Sequence, residues 1–282
     1  MQALYLIAII LGISGQNIIK KIFSKGTGGR GIYTYSLLTA LSAMGFFLVT
    51  SRDLQFDRGL LPYAFFFALT FGAATIFSTL AISCGPLSLS ALISSFSLMI
   101  PTFYGLLFLK EPVSFGLLPG IGLLAASLFL INKRTKDSPV TAKWLIFVLL
   151  SFGGNGLCSV VQKMQQNAFN GSFKNEFMIL SLAMVAGIML AAVLISERKE
   201  CIKTASKSWY LALGCGIMNG GVNLFVMILS GLMSVSLMFP LVSVGGIVVS
   251  FLVSKIFYKE KLTKAQYIGF LLGIAAIVFL NL

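Results

Sequence analysis

The sequence predicts an all-α integral membrane protein in which ten transmembrane helices form two inverted five-helix repeats. Three observations carry that prediction. Hydrophobic residues make up 57% of the 282 residues and charged residues 10%, against roughly 45–50% and about 25% in soluble domains. The chain divides at charge clusters and Gly/Pro/Ser turns into apolar segments long enough for a bilayer, which a helix crosses with about 20 residues. Finally, KEPVSFGLLPGIGLLAASLFLIN, beginning at Lys110, returns as KEKLTKAQYIGFLLGIAAIVFLN, beginning at Lys259.

The first segment, 3–22, opens the chain without a basic stretch before it and carries its charges after it, at Lys20 and Lys21. That pattern predicts a retained span rather than a cleaved signal peptide. Segments 32–50 and 60–83 follow, separated by the charged turn around Arg52, Asp53, Asp57 and Arg58. Segment 87–109 starts directly after Cys84, Gly85 and Pro86, a joint too short and too apolar to be anything but a hairpin. Segment 113–132 closes the first repeat, 1–137, after the turn at Lys110 and Glu111.

The second repeat, 138–282, restarts the series with 143–163, 176–196, 208–230, 234–257 and 264–281. Its uncharged joint at 230–233 falls between the third and fourth segments, as the joint at 84–86 does in the first half. An odd number of spans per repeat makes the second copy begin on the opposite side of the membrane, so homologous halves are inverted about an in-plane axis. That architecture recurs in secondary transporters and brings the substrate to the interface between the halves.

The paired ends FLKEPVSF and FYKEKLTKAQYIG, each a Glu in a short turn followed by a Gly-containing span, resemble the drug/metabolite transporter superfamily, specifically its ten-helix EamA-like branch. The last two segments also look like the final helices of the four-helix small multidrug resistance branch. The resemblance implies a path lined by helices 1, 3, 4, 6, 8 and 9, and both termini in the cytoplasm of a bacterium. The charge pattern implies the reverse orientation: 16 of the 21 Lys and Arg lie in the odd-numbered connections, which the positive-inside rule assigns to the cytoplasm. The small multidrug branch uses an intramembrane Glu in its first helix, and Ser14 stands at that place here. All eight acids lie in loops or at helix ends, which disfavours cation/proton antiport, a chemistry that uses an intramembrane ionisable group.

Polar side chains in span interiors are the candidate substrate-binding residues, because an amide in hydrocarbon is costly without partners. They are Ser14 and Asn17 in the first segment, alongside Gln16, then Asn155 and Ser159 in the sixth and Asn219 and Asn223 in the eighth. The last two pairs are each four apart and share a helix face. Their amides both donate and accept, which suits a small neutral or zwitterionic metabolite such as an amino acid. Phe77 and Tyr104 are candidate cavity walls. Pro101 and Pro240 each remove a backbone hydrogen bond inside a span and are candidate hinges. Helix packing accounts for the glycine pairs Gly116/Gly120 and Gly269/Gly273 and for the serines of segments four and nine.

No nucleophile, phosphate loop or cofactor motif occurs, and the cysteines at 84, 158, 201 and 215 have no paired spacing. The sequence therefore predicts no enzyme, no cofactor and no metal. The expected partners are membrane lipids and a small-molecule substrate, with no nucleic acid, since the basic residues lie between apolar runs where they meet headgroups. Lys20, Lys21 and Lys163 end the first and sixth segments and are expected to snorkel to the interface, with the drawing of an anionic substrate inward as the second reading. The expected protein is a monomeric or homodimeric multi-pass exporter in a bacterial cytoplasmic membrane. Two other roles compatible with the sequence are a flippase for a lipid-linked substrate and a non-transporting scaffold.

Overall fold

The computed structural model describes residues 2–51, 53–84, 90, 93–94, 96–111, 115–131, 141–257 and 264–280. Every regular element among them is helical: α1 (Gln2–Thr27), α2 (Ile32–Thr50), α3 (Leu60–Cys84), α4 (Met99–Leu107), α5 (Leu117–Ile131), α6 (Ala142–Ala168), α7 (Lys174–Ser196), α8 (Cys201–Leu232), α9 (Val235–Phe257) and α10 (Lys264–Leu280). Helices α1, α2, α3, α6, α7 and α8 are long and apolar enough to cross a membrane. Their outward faces display large apolar side chains, among them Phe65 and Phe66 on α3 and Ile146 and Leu149 on α6. A surface of that kind needs lipid rather than water around it, and the chain is a multi-pass membrane protein.

The fourth predicted segment differs from a single span. Helix is interrupted at Ser97 and Leu98 and restarts at Met99, leaving α4 only 9 residues long. Pro101, in the first turn of α4, has no N–H to give to the Ser97 carbonyl. Ile100 takes up that carbonyl instead, at 3.1 Å. Pro240, by contrast, lies inside α9 without breaking it. Gly85 and Pro86 of the first joint and the turn at Lys259 and Glu260 lie outside the described residues.

Helix α3 runs antiparallel along α6: Ser151 donates to the Ala74 carbonyl, and Ala81 clusters with Trp144. Helix α1 runs antiparallel along α8, with Gly12 against Val222 and Gly15 against Met218. Further pairs are α2 with α8, α7 with α3, α1 with α9 and α6 with α4, and α2 with α7, α4 with α9 and α5 with α10. Exchanging every helix for the one five places away along the chain turns six of these pairs into one another and returns the α2–α7, α4–α9 and α5–α10 pairs to themselves. The glycine pairs predicted to allow close packing are all buried, and Gly273 of α10 lies against Ser127 of α5.

Acidic residues hold helix starts. The α2 N-terminus begins at Gly31, whose φ of 73° suits glycine and whose missing Cβ makes room for Thr204. There the Glu197 carboxylate accepts from the Tyr33 and Thr34 amides at 3.0 and 2.8 Å and from the Thr34 hydroxyl. Glu111 accepts from the Val235 and Ser236 amides at the start of α9, at 3.1 and 2.9 Å. Both sites place negative charge on orphan donors at the positive end of a helix dipole.

Candidate functional site

A cavity of about 190 Å³ lies at mid-length among the helices. It is smaller than the roughly 300–1,000 Å³ of drug-sized sites. Its walls come from α1, α2, α3, α6, α7, α8, α9 and the break before α4.

The two halves of the chain contribute to these walls in register. From α1 come Ile13, Gln16, Asn17 and Lys20; from α6 come Asn155, Cys158, Ser159 and Gln162, each 142 positions later. From α3 come Phe71, Ala74, Thr75 and Ser78; from α8 come Asn219, Val222, Asn223 and Val226, each 148 positions later. All four sets have the spacing i, i+3, i+4, i+7, which is one face of an α-helix. Ser94 before α4 and Ser243 on α9 also line the cavity, 149 positions apart, the same offset as between Lys110 and Lys259.

Side-chain amides form a chain across one wall. Gln162 donates to Asn223 Oδ1 at 2.8 Å, Asn223 donates to Asn219 Oδ1 at 3.0 Å, and Asn219 donates to Gln16 Oε1 at 3.1 Å. Three helices, α6, α8 and α1, are thereby tied together through polar groups that hydrocarbon alone would leave unsatisfied. On another wall Asn155 reaches the interrupted segment, donating to Ser97 Oγ at 2.6 Å. Irregular backbone is thus placed beside a polar cavity, where its groups have protein partners. Gly156 lets α6 come this close, since a Cβ there would stand 2.7 Å from the Ser97 carbonyl oxygen.

Of the residues singled out in the sequence, Asn17, Asn155, Ser159, Asn219 and Asn223 line this cavity. Three others do not. Ser14 is buried elsewhere with its hydroxyl unpartnered among the described residues; it stands about 100° around α1 from Ile13 and off the lining face. Phe77 stacks on Phe147 with ring centroids 5.9 Å apart, between α3 and α6, and it is Phe71 that lines the space. Tyr104 stacks on Phe108 within its own helix region. Pro101 follows the helix break, and Pro240 precedes the lining residues Val242 and Ser243 by less than a turn.

The sequence reading missed Gln162, Ser36, Thr39, Thr75 and Ser78, and it assigned Lys20 to the headgroups and the serines at 94 and 243 to packing. Gln162 and Lys20 were within reach of the periodicity that joined Asn155 to Ser159, being the next members of the same helix faces. Lys163, also expected at the headgroups, is instead buried and donates to the Ser230 carbonyl near the end of α8 at 2.7 Å. The negative end of that helix dipole supplies its partner.

No protein-family model matches the chain, and no curated protein matches it. Solved structures do: 28 chains match. One, described as "Crystal structure of protein", superposes with a TM-score of 0.72 over 96% of this chain and 95% of its own length. The two sequences are 12% identical, so the likeness is one of fold, extending over both chains from end to end.

Proposed function

We propose that the protein is a secondary transporter or permease of a small polar metabolite, working by alternating access around the cavity. The observation that carries this reading is the in-register pairing of the cavity walls, α1 with α6 and α3 with α8. It supports two five-helix repeats, 1–137 and 138–282, inverted about an axis through the cavity, as do the self-matching helix pairs and the recurring turn at Lys110 and Lys259. Transporters of this architecture bind substrate at the repeat interface and rock one repeat against the other. A cavity lined equally by both halves is the site such a motion would expose to each side in turn. The resemblance to the EamA-like branch of the drug/metabolite transporters points the same way, and on that resemblance the direction is export from a bacterial cell.

The amides of Asn17, Asn155, Asn219 and Asn223 would bind the substrate's polar groups, and the break before α4 and the Pro240 turn would serve as hinges. The amides by themselves suit a neutral or zwitterionic molecule; the charge of the substrate turns on Lys20. The test is efflux from proteoliposomes loaded with pooled amino acids, nucleosides, organic acids and sugar phosphates, each quantified by mass spectrometry. At least one solute leaves faster than from protein-free vesicles, and Asn219→Leu abolishes the difference. Equal leakage of every solute from both kinds of vesicle would remove transport in favour of a scaffold role.

A further inference from the structure

We propose that the cavity selects a small organic anion, whose carboxylate or phosphate group is held by Lys20 and the Ser36 hydroxyl. The inference rests on the transport reading and narrows it to a substrate class. Among the described residues lining the cavity, Lys20 is the one Lys, Arg, Asp or Glu. Its ammonium has no carboxylate or hydrogen-bond partner among the described residues. An ammonium brought into apolar surroundings is costly unless it is paired, and ionisable groups inside membrane bundles mark substrate paths when nothing in the protein pairs them. Lys163 provides the contrast within the same chain: its ammonium is buried and bonded to the Ser230 carbonyl.

The second observation is Ser36. Its side chain is 2% exposed, lines the same cavity and has an Oγ with no partner among the described residues. Phe23, one turn after Lys20 on α1, stacks on Tyr35 of α2 with ring centroids 4.1 Å apart, and both pack in one cluster with Cys215, which lines the cavity. The α1 turn that carries Lys20 and the α2 turn that carries Ser36 therefore meet at one end of the cavity. Asn17, one turn before Lys20, adds an amide with no partner among the described residues. A group with lone pairs and negative charge satisfies all three. A cation, or the ammonium of a zwitterion, would find no carboxylate among the described residues that line the cavity.

The experiment measures thermal unfolding of the purified full-length protein with malate, glycerol 3-phosphate, alanine, choline or phosphatidylglycerol micelles. Uptake of the same soluble probes into proteoliposomes runs in parallel. The proposal expects malate or glycerol 3-phosphate to stabilise the wild type. Lys20→Met weakens that binding at least ~10-fold, the scale of one charge-assisted hydrogen bond, whereas Lys20→Arg and the exposed-site control Lys25→Met retain it. Stabilisation confined to phosphatidylglycerol, and lost in Lys20→Met, upholds the anion site and makes its source a lipid headgroup. Lys20-dependent binding without uptake leaves the anion site standing and refutes transport alone. Stabilisation by alanine or choline only, anion binding indifferent to Lys20→Met, or no shift with any probe overturns the proposal.

Discussion

Glu111 shows how single charges act here without entering the cavity. Its carboxylate accepts from two amides at the start of α9. Removing it leaves orphan donors at a partly buried helix end, so Glu111→Ala is expected to lower unfolding stability by about 1–3 kcal/mol while substrate affinity stays unchanged. Thermal unfolding and a binding titration on the same preparation check both halves of that statement. Loss of affinity with no loss of stability would make Glu111 a substrate ligand instead. At this scale residue types were legible and partners were not: Asn155 and Asn219 stood out as costly polar groups, but which amide answers which depends on how α1, α6 and α8 come together. Lys20 and Lys163 show the limit most plainly. Both sit near helix ends between apolar runs, and only packing separates a bonded lysine from one that opens on a cavity.

Most helix ends were legible to within about five residues, because apolar length and the charged turns fix them independently of tertiary contacts, and the eighth helix begins seven residues before its predicted start, at Cys201. The exception is the fourth segment, where Pro101 was visible but the interruption at Ser97 and Leu98 depends on a neighbour, Gly156, that allows α6 to pack against the freed backbone. Gly154 plays the corresponding part against α3, where a Cβ would lie 2.7 Å from the Thr70 carbonyl oxygen and 2.9 Å from the Ala74 amide nitrogen. Backbone cannot step aside as a side chain does. Gly154→Ala is therefore expected to cost about 1–3 kcal/mol, and Gly153→Ala, whose Cβ would meet nothing within 4 Å, to cost almost nothing. Equal unfolding temperatures for the two variants would contradict the close approach of α3 and α6. For the hinges, the double variant Pro101→Ala, Pro240→Ala is expected to slow transport several-fold at unchanged affinity. Turnover equal to wild type in a stable protein would end that role.

Across the whole molecule, the 149-residue echo between Lys110 and Lys259 was the deepest signal in the sequence, and the cavity walls carry it further. Offsets of 142 for α1 and α6 and 148 for α3 and α8 bring matching helix faces to one space, although few residues in those faces are alike. Ile13 corresponds by that offset to Asn155 and Phe71 to Asn219, so residue types alone show no match between those faces. The polar side of the cavity lies mainly on α1, α6 and α8, and the cation on α1. Alternating access requires this space to open in turn to each side of the membrane. The most direct test places one cysteine at Asn17, with Cys84, Cys158, Cys201 and Cys215 replaced by alanine or serine, in vesicles of uniform orientation. A membrane-impermeant maleimide, applied from one face and then the other, is predicted to label Asn17→Cys from both, with proportions that shift when substrate is added. Labelling from neither face, or from one face alone under every condition, would contradict alternating access.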